Sequence, residues 1–242
     1  MAEVIRDAAR FDEAVMSCDS RDTAHPDRMT IVVIEDQIMM RGLIVRVCRE
    51  HFACKRIAEA ASGADGLKRC REVQPDLVLL DLDLPDGDGL DRVSEIRKIS
   101  PGAKIVVVTS HSDDYAIQRS LDANVAAFVD KCAQPIEAVS EAIAAVAAGR
   151  TFYSPVVARA KARLRADPRA FTKILSPREQ EILRLLGQGL GNDEVAAHFT
   201  VSPQTIHSYR RNIMAKLGIH STPELIRYAV EKGFTRLRAA EK

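Results

Sequence analysis

No apolar run in this 242-residue chain approaches the roughly 18–20 residues that a bilayer-crossing helix needs. The amino-terminal stretch carries Asp and Glu among its first apolar residues, so a secretory leader is not expected either. The five cysteines, Cys18, Cys48, Cys54, Cys70 and Cys132, include no CxxC pair. Their odd number and irregular spacing argue against a disulfide framework or a zinc site and imply reduced thiols in the cytoplasm; with the missing apolar run, no membrane partner is expected. Net charge is nearly absent too, with 35 Lys and Arg against 34 Asp and Glu. What is present excludes global disorder: 46% of residues are hydrophobic and 29% charged. The length suits one or two domains, each able to bury an ordinary core.

The near-zero charge hides an asymmetry. Residues 151–242 hold 16 basic and 8 acidic residues, a balance of +8, whereas 1–150 hold 19 and 26, a balance of −7. An acidic half that could take a cation is thus joined to a basic half suited to a polyanion.

Residues 1–28 are polar and mixed in charge and read as a mobile extension, with a short helix over Ala2–Met16. From Thr30 the pattern turns to strand then helix, five times. Short apolar or β-branched runs occur at Thr30–Ile34, Lys55–Glu59, Leu77–Leu80, Ile105–Val108 and Ala126–Val129. Between and after them lie helical periodicities over 37–51, 63–74, 88–99, 113–122 and 135–148. Alternation of this kind predicts an α/β doubly wound five-stranded parallel sheet over residues 29–149, covered on both faces. Residues 150–173, basic and alanine-rich, form a partly helical linker. From 174 to 242 there are no strand signals and the pattern gives four helices. Ser176-Pro-Arg-Glu179 is a capping box with proline at the first helical position, and Ser202-Pro203 and Thr222-Pro223 repeat that start.

Functional groups collect at the carboxyl ends of strands in such a sheet. Glu35 and Asp36 follow the first strand, Asp81 the third, Thr109 ends the fourth and Lys131 follows the fifth. Taken singly, an acidic residue after a strand is more often a turn residue or helix cap. These five positions, gathered at the ends of four strands, fit one chemistry together, phosphoryl transfer to a carboxylate. Clustered carboxylates suit Mg²⁺, a hard ion that prefers oxygen ligands. An ammonium and a hydroxyl neutralise and orient the phosphoryl oxygens, and Asp81 is placed as the nucleophile.

Four segments carry a resemblance: Ile31 to Gln37 (Ile-Val-Val-Ile-Glu-Asp-Gln), Pro75 to Leu90, Val106 to Ser110 and Ala127 to Lys131. Through them residues 30–150 resemble the receiver domains of bacterial two-component systems, which are flavodoxin-like. The resemblance implies that Asp81 accepts a phosphoryl group from a sensor histidine kinase. It implies that Asp36, Asp81 and the backbone carbonyl of Asp83 ligate Mg²⁺, with Glu35 reaching it through water. Thr109 and Lys131 then contact the phosphoryl group, and Phe128 matches the family's switch aromatic, although an ordinary core residue is an equal reading. Asp83 and His111, each two residues past a site residue, occupy positions that tune phosphoryl lifetime in that family.

In the basic half, residues 189–217 read as a short helix, a tight turn through Val201, and a second helix from Pro203. On that second helix Ile206, Arg210, Ile213 and Leu217 share one face. The other presents Gln204, Thr205, His207, Ser208, Arg211 and Asn212, all able to hydrogen-bond, as entry into a major groove requires. An ordinary polar helix face is the bland alternative. Leu175 to Leu183, Thr205-Ile206 and Asn212 to Gly218 give residues 175–234 a resemblance to the LuxR-type helix-turn-helix, and its combination with a receiver marks the NarL/FixJ class. The resemblance places His207, Ser208 and Arg211 at base edges and Gln204, Thr205, Asn212 and Lys216 at phosphates. His207 stands where that family usually has Lys, and Asp193 where Lys is common, so fewer cations face the duplex.

The chain is therefore expected to be a DNA-binding response regulator that acts as a homodimer on double-stranded DNA, with RNA polymerase a further candidate partner. It is expected to be no enzyme beyond catalysing its own phosphorylation and dephosphorylation. The unphosphorylated receiver is expected to mask the recognition helix or to disfavour the dimer. A receiver acting through protein–protein contacts, with weak DNA binding, is the alternative; a metal-dependent phosphatase leaves the second domain unexplained.

Overall fold

The computed structural model describes residues 29–133 and 136–235. The extension 1–28, with its expected helix, lies outside the described residues. In chain order the elements are β1 (Met29–Ile34), α1 (Ile38–His51), β2 (Cys54–Ala60), α2 (Gly63–Val73), β3 (Leu77–Leu80), β4 (Asp83–Leu84), β5 (Gly87–Asp88) and α3 (Val93–Ile99). Next come β6 (Lys104–Thr109), α4 (Asp114–Asp122), β7 (Ala127–Asp130), α5 (Glu137–Ala147) and β8 (Phe152–Tyr153). Then follow α6 (Pro155–Ala166), α7 (Phe171–Ile174), α8 (Pro177–Gly187), α9 (Asn192–Phe199), α10 (Pro203–Leu217) and α11 (Thr222–Glu231).

The main sheet is parallel, in the order β2-β1-β3-β6-β7-β8. Alternation along its central strands sorts side chains to two cores. Ile31, Val33, Leu79 and Val106 pack with Ile44, Cys48, Val139 and Ile143 of α1 and α5. Val32, Ile34, Leu80 and Val107 pack with Leu67, Ile96 and Ile117 of α2, α3 and α4. Both faces are covered, which is why these strands read as nearly unbroken apolar runs.

Three boundaries differ from expectation. The sheet has six strands, not five, because Phe152 and Tyr153, assigned above to the linker, pair in parallel with Ala127 and Phe128. The helix expected from residue 88 begins as a 3-10 turn over Gly89–Arg92, with the Asp88 carboxylate accepting from the Leu90 amide at 2.9 Å. The last helix is capped by Ser221, so Pro223 sits one position deeper than Thr222-Pro223 suggested.

The linker is also more ordered than a tether. Val157 and Ala160 of α6 complete the receiver core, and one turn later Leu164 is buried in the carboxy-terminal core. That second core gathers Phe171, Ile182, Leu183, Leu186, Val195, Ile206, Ile213, Leu225 and Phe234. The expected capping box is formed: Ser176 Oγ accepts from the Glu179 amide, and the Glu179 carboxylate accepts from the Ser176 amide at 2.8 Å. Gly187 ends α8 at a close approach, where an added methyl would meet the Ala229 side chain.

Among the described residues no helix is long and apolar enough to cross a membrane, and Cys48, Cys54, Cys70 and Cys132 are free thiols. Burial pushes the Cys48 thiol up to about 12 and the Cys70 thiol up to about 11. Because the thiolate is the reactive form, iodoacetamide should modify exposed Cys132 in the folded protein, and Cys48 and Cys70 only after denaturation. Peptide mass spectrometry resolves the sites; native labelling of Cys48 as fast as of Cys132 would contradict this packing.

Candidate functional site

The backbone ladder brings the five sequence-selected positions to the carboxyl edge of the sheet. The Asp81 amide donates to Ile34 O at 2.9 Å, which sets Asp81 beside Glu35 and Asp36. The Lys131 amide donates to Thr109 O at 2.8 Å, which sets those two side by side on the neighbouring strands. Oxygens of Glu35, Asp36 and Asp81 all lie within 4.8 Å of one another. Glu35 and Asp81 are buried and Asp36 is exposed, so the cluster has a dry floor and an open rim.

Lys131 reaches into this floor. Its ammonium lies 2.5 Å from Glu35 and 2.9 Å from Asp81, with all three side chains almost fully buried. The second Asp81 oxygen accepts from the Leu82 amide at 2.7 Å. Three carboxylates against one ammonium leave the site short of positive charge. Burial, and then repulsion from Asp81, push the Glu35 carboxyl up to about 7 despite the opposing pull of Lys131. An oxygen-rich, electron-rich cluster with one exposed carboxylate fits a hard divalent cation.

Thr109 is fully buried, and its hydroxyl accepts from the His111 amide at 3.3 Å. His111 Nε2 lies 3.4 Å from the Asp83 carboxylate, so the two positions singled out separately meet at the rim of the site. Phe128 is fully buried in the core formed with α4. Asp130, beside Lys131, is not part of the cluster; its carboxylate accepts from the Cys132 and Ala133 amides.

Sequence reasoning missed Asp86. Its two carboxylate oxygens accept from the Gly63 and Ala64 amides, each at 2.8 Å, pinning the loop after Asp81 to the start of α2. Partial burial opposes ionisation there, but these hydrogen bonds and Arg92 hold the carboxyl below its usual range. Gly89 was also missed. Its amide donates to Leu82 O at 3.0 Å, and a methyl in its place would collide with the Asp81 carbonyl oxygen.

On the basic domain, α9 ends at Thr200 in the left-handed region, and Ser202 caps α10 through the Thr205 amide. Ile206 and Ile213 are fully buried, seating one face of α10. Gln204, His207, Arg211, Asn212 and Lys216 are exposed on the other, with Thr205 and Ser208 partly so. The receiver therefore does not mask the recognition helix, contrary to one of the two expectations. One residue behaves differently from its sequence reading, and a second keeps to the seated face on which the sequence placed it. Lys216 binds both Glu179 oxygens, at 2.7 and 2.8 Å, so its charge is already engaged. Arg210 braces the domain, donating to Thr222 Oγ1 at 2.7 Å and to Asn192 Oδ1 at 3.4 Å.

Residues 31–143 match the response regulator receiver domain, and residues 173–229 match the luxR family of bacterial regulatory proteins. The response regulator protein VraR of Staphylococcus epidermidis is 30% identical over 202 residues, covering 83% of this chain and 96% of that protein. The response regulator UvrY of Escherichia coli K12 is 29% identical over 208 residues, covering 85% and 95%. In fold the chain is similar to RcsB of Salmonella enterica serovar Typhimurium, solved bound to a promoter in the presence of a phosphomimetic beryllofluoride. There the TM-score is 0.60 and the identity 23%, covering 85% of this chain and 99% of that one.

The close approach at residue 89 has a measurable consequence. Gly89→Ala should lower stability by about 1–3 kcal/mol through overpacking against the Asp81 backbone. Gly42→Ala, on a helix position with open space around it, should be neutral or stabilising by up to about 1 kcal/mol. Denaturant unfolding of both variants checks the pair, and equal stabilities would rule out the crowding at Asp81.

Proposed function

Because this chain belongs to the DNA-binding response regulators, joining a receiver to a luxR-type domain, we propose that Asp81 is its phosphoacceptor and that phosphorylation there controls transcription. The observation that carries the proposal is the buried Lys131 ammonium set between Glu35 and Asp81, beside a buried threonine hydroxyl. An Asp81 oxygen attacks the phosphorus of a phosphohistidine on a sensor kinase. The O–P bond forms as the P–N bond breaks, and the imidazole departs with the electron pair and takes up a proton from solvent. Lys131 offsets charge on the transferred group, and the Thr109 hydroxyl donates to one of its oxygens. Asp36, Asp81 and the Asp83 carbonyl would hold Mg²⁺, with Glu35 joined through water; the ion supplies charge neutralisation for the transfer. Each molecule takes one phosphoryl group and releases it by hydrolysis, so no external substrate is turned over.

The basic domain reads double-stranded DNA through α10. His207, Ser208 and Arg211 meet base edges, and Gln204, Thr205 and Asn212 meet phosphates. Lys216 joins them only by sharing its bond to Glu179. A second copy of the chain supplies the second half-site.

Selection of genomic DNA fragments by the purified protein, with and without beryllofluoride and Mg²⁺, tests this reading. A paired-half-site motif should emerge, enriched more strongly with beryllofluoride, and Asp81→Asn should lose that increase. Arg211→Ala should weaken binding by about 1–3 kcal/mol and relax preference at one base position. No enrichment in either state, with beryllofluoride still bound, would leave a receiver that acts through protein contacts.

His111 and Asp83 lie where an attacking water would pass. Replacing both with alanine should change the hydrolysis half-life of the aspartyl phosphate more than its rate of formation. An unchanged half-life in a radiolabelled-phosphate decay assay would remove these residues from that role.

A further inference from the structure

Among the described residues, the large apolar side chains left open to solvent are Ile38 (77% exposed), Met39 (89%) and Leu43 (40%). All three lie on one stripe of α1, with Gly42 exposed between them. The opposite face of that helix buries Ile44, Val45, Val47 and Cys48. Single apolar residues scattered over a surface need no explanation, but a contiguous stripe marks a face that something covers. The amino end of the stripe borders the acidic cluster, because Ile38 follows exposed Asp36 by two residues. Towards its carboxy end the stripe turns cationic, with Arg46, Arg49 and His51 exposed and Glu50 pairing with Arg46 at 2.7 Å.

The sequence ahead of Met29 supplies a surface to match. Val4, Ala8, Phe11 and Val15 recur at 4-3-4 spacing, one face of a helix, while Glu3, Arg6, Asp7, Arg10 and Glu13 fall on the other side. A helix of about 15 residues is marginal in water unless its apolar face is buried, so this segment needs a partner as much as α1 does. Residues 1–28 hold seven Asp and Glu against four Arg, which complements the cationic end of the stripe. A second copy's α1 would instead bring the same arginines. The segment precedes the receiver match, which begins at residue 31. It is also within reach. The Met29 amide donates to Ala53 O at 3.0 Å, so the segment enters beside the carboxy end of α1, whose 14 residues run about 21 Å. Residues 17–28 extend to at most about 40 Å, and tethering through them gives an effective concentration on the order of millimolar.

We propose that residues 1–28 fold back along α1, with Val4, Phe11 and Val15 covering Ile38, Met39 and Leu43 and the acidic residues facing Arg46 and Arg49. The occupant of the stripe is thus a segment of the same chain, and the receiver carries its own cover on the face that borders the Asp36 rim. A bulky group that approaches Asp81 across this rim meets the segment first, whereas a small ion does not. The inference stands on the stripe, the spacing and the reach, and it does not depend on Asp81 being the phosphoacceptor.

The experiment compares the full-length wild type with Phe11→Asp, on the segment, and Leu43→Glu, on α1. Neither position belongs to a described core, so both variants should fold. Oxidation of Met39 by hydrogen peroxide is followed by peptide mass spectrometry, amide hydrogen exchange reports on residues 4–15, and light scattering gives the mass in solution. Met39 should oxidise more slowly in wild type than in Phe11→Asp, by about fivefold or more, since only the uncovered fraction reacts. Amides of residues 4–15 should be protected in wild type and lose that protection in Leu43→Glu, whose segment is unaltered. Equal Met39 oxidation in wild type and Phe11→Asp would overturn the cover, and so would protection of residues 4–15 that survives Leu43→Glu. Met39 protection that vanishes when a wild-type dimer is diluted to monomer would overturn it as well, and would assign the stripe to a second copy.

Discussion

Lys131 holds two buried carboxylates with one charge, and most of the receiver's arrangement follows from that imbalance. Removing a carboxylate from water is costly unless a partner compensates. Here the Glu35 and Asp81 side chains are nearly inaccessible and share one ammonium. Glu35 answers by holding its proton up to about 7, the response expected when burial and a like charge act together. Exposed Asp36 at the rim completes an oxygen cluster that a divalent cation would satisfy. Any anionic group joined to Asp81, as proposed above, would add negative charge to the same floor and draw on the Lys131 ammonium.

The site was legible in the sequence because its residues sit at strand ends, and strand ends are what apolar periodicity locates best. Thr109 and Lys131 are fixed by β6 and β7, whose unbroken apolar runs mark the buried middle of a sheet. The sixth strand was not legible for the opposite reason. Phe152 and Tyr153 are two residues between a glycine-bearing turn and a proline-started helix, too short for any period, and their pairing depends on the free edge that β7 offers. Asp86 and Gly89 escaped because a run such as Pro-Asp-Gly-Asp-Gly reads as an acidic turn whether or not its members reach across to another helix. Only the fold places Asp86 against the start of α2.

Lys216 shows the same limit on the DNA-binding side, whereas Arg210 stays on the seated face on which the sequence placed it. Helical spacing places both on α10, and spacing alone cannot tell a cation aimed at phosphate from one consumed by the protein. Lys216 is consumed by Glu179, itself fixed by its capping box with Ser176. Arg210 joins the recognition helix to α9 and α11. The domain thus uses two of its positive charges to position the helix, leaving Arg211 as the exposed arginine beside His207. Because each phosphate neutralised contributes to the salt-dependent part of affinity, a single copy is left with a modest electrostatic hold.

The joint between the domains connects these two economies of charge. Helix α6 lends Val157 and Ala160 to one core and Leu164 to the other, so the linker transmits orientation where a flexible tether would not. Aromatic pairs of the kind made by Tyr115 with Phe171 and Phe234 are worth about 0.5–1.5 kcal/mol each beyond the area they bury. Such contacts are strong enough to populate one arrangement, yet weak enough for a ligand with a differential affinity of a few kcal/mol to displace it.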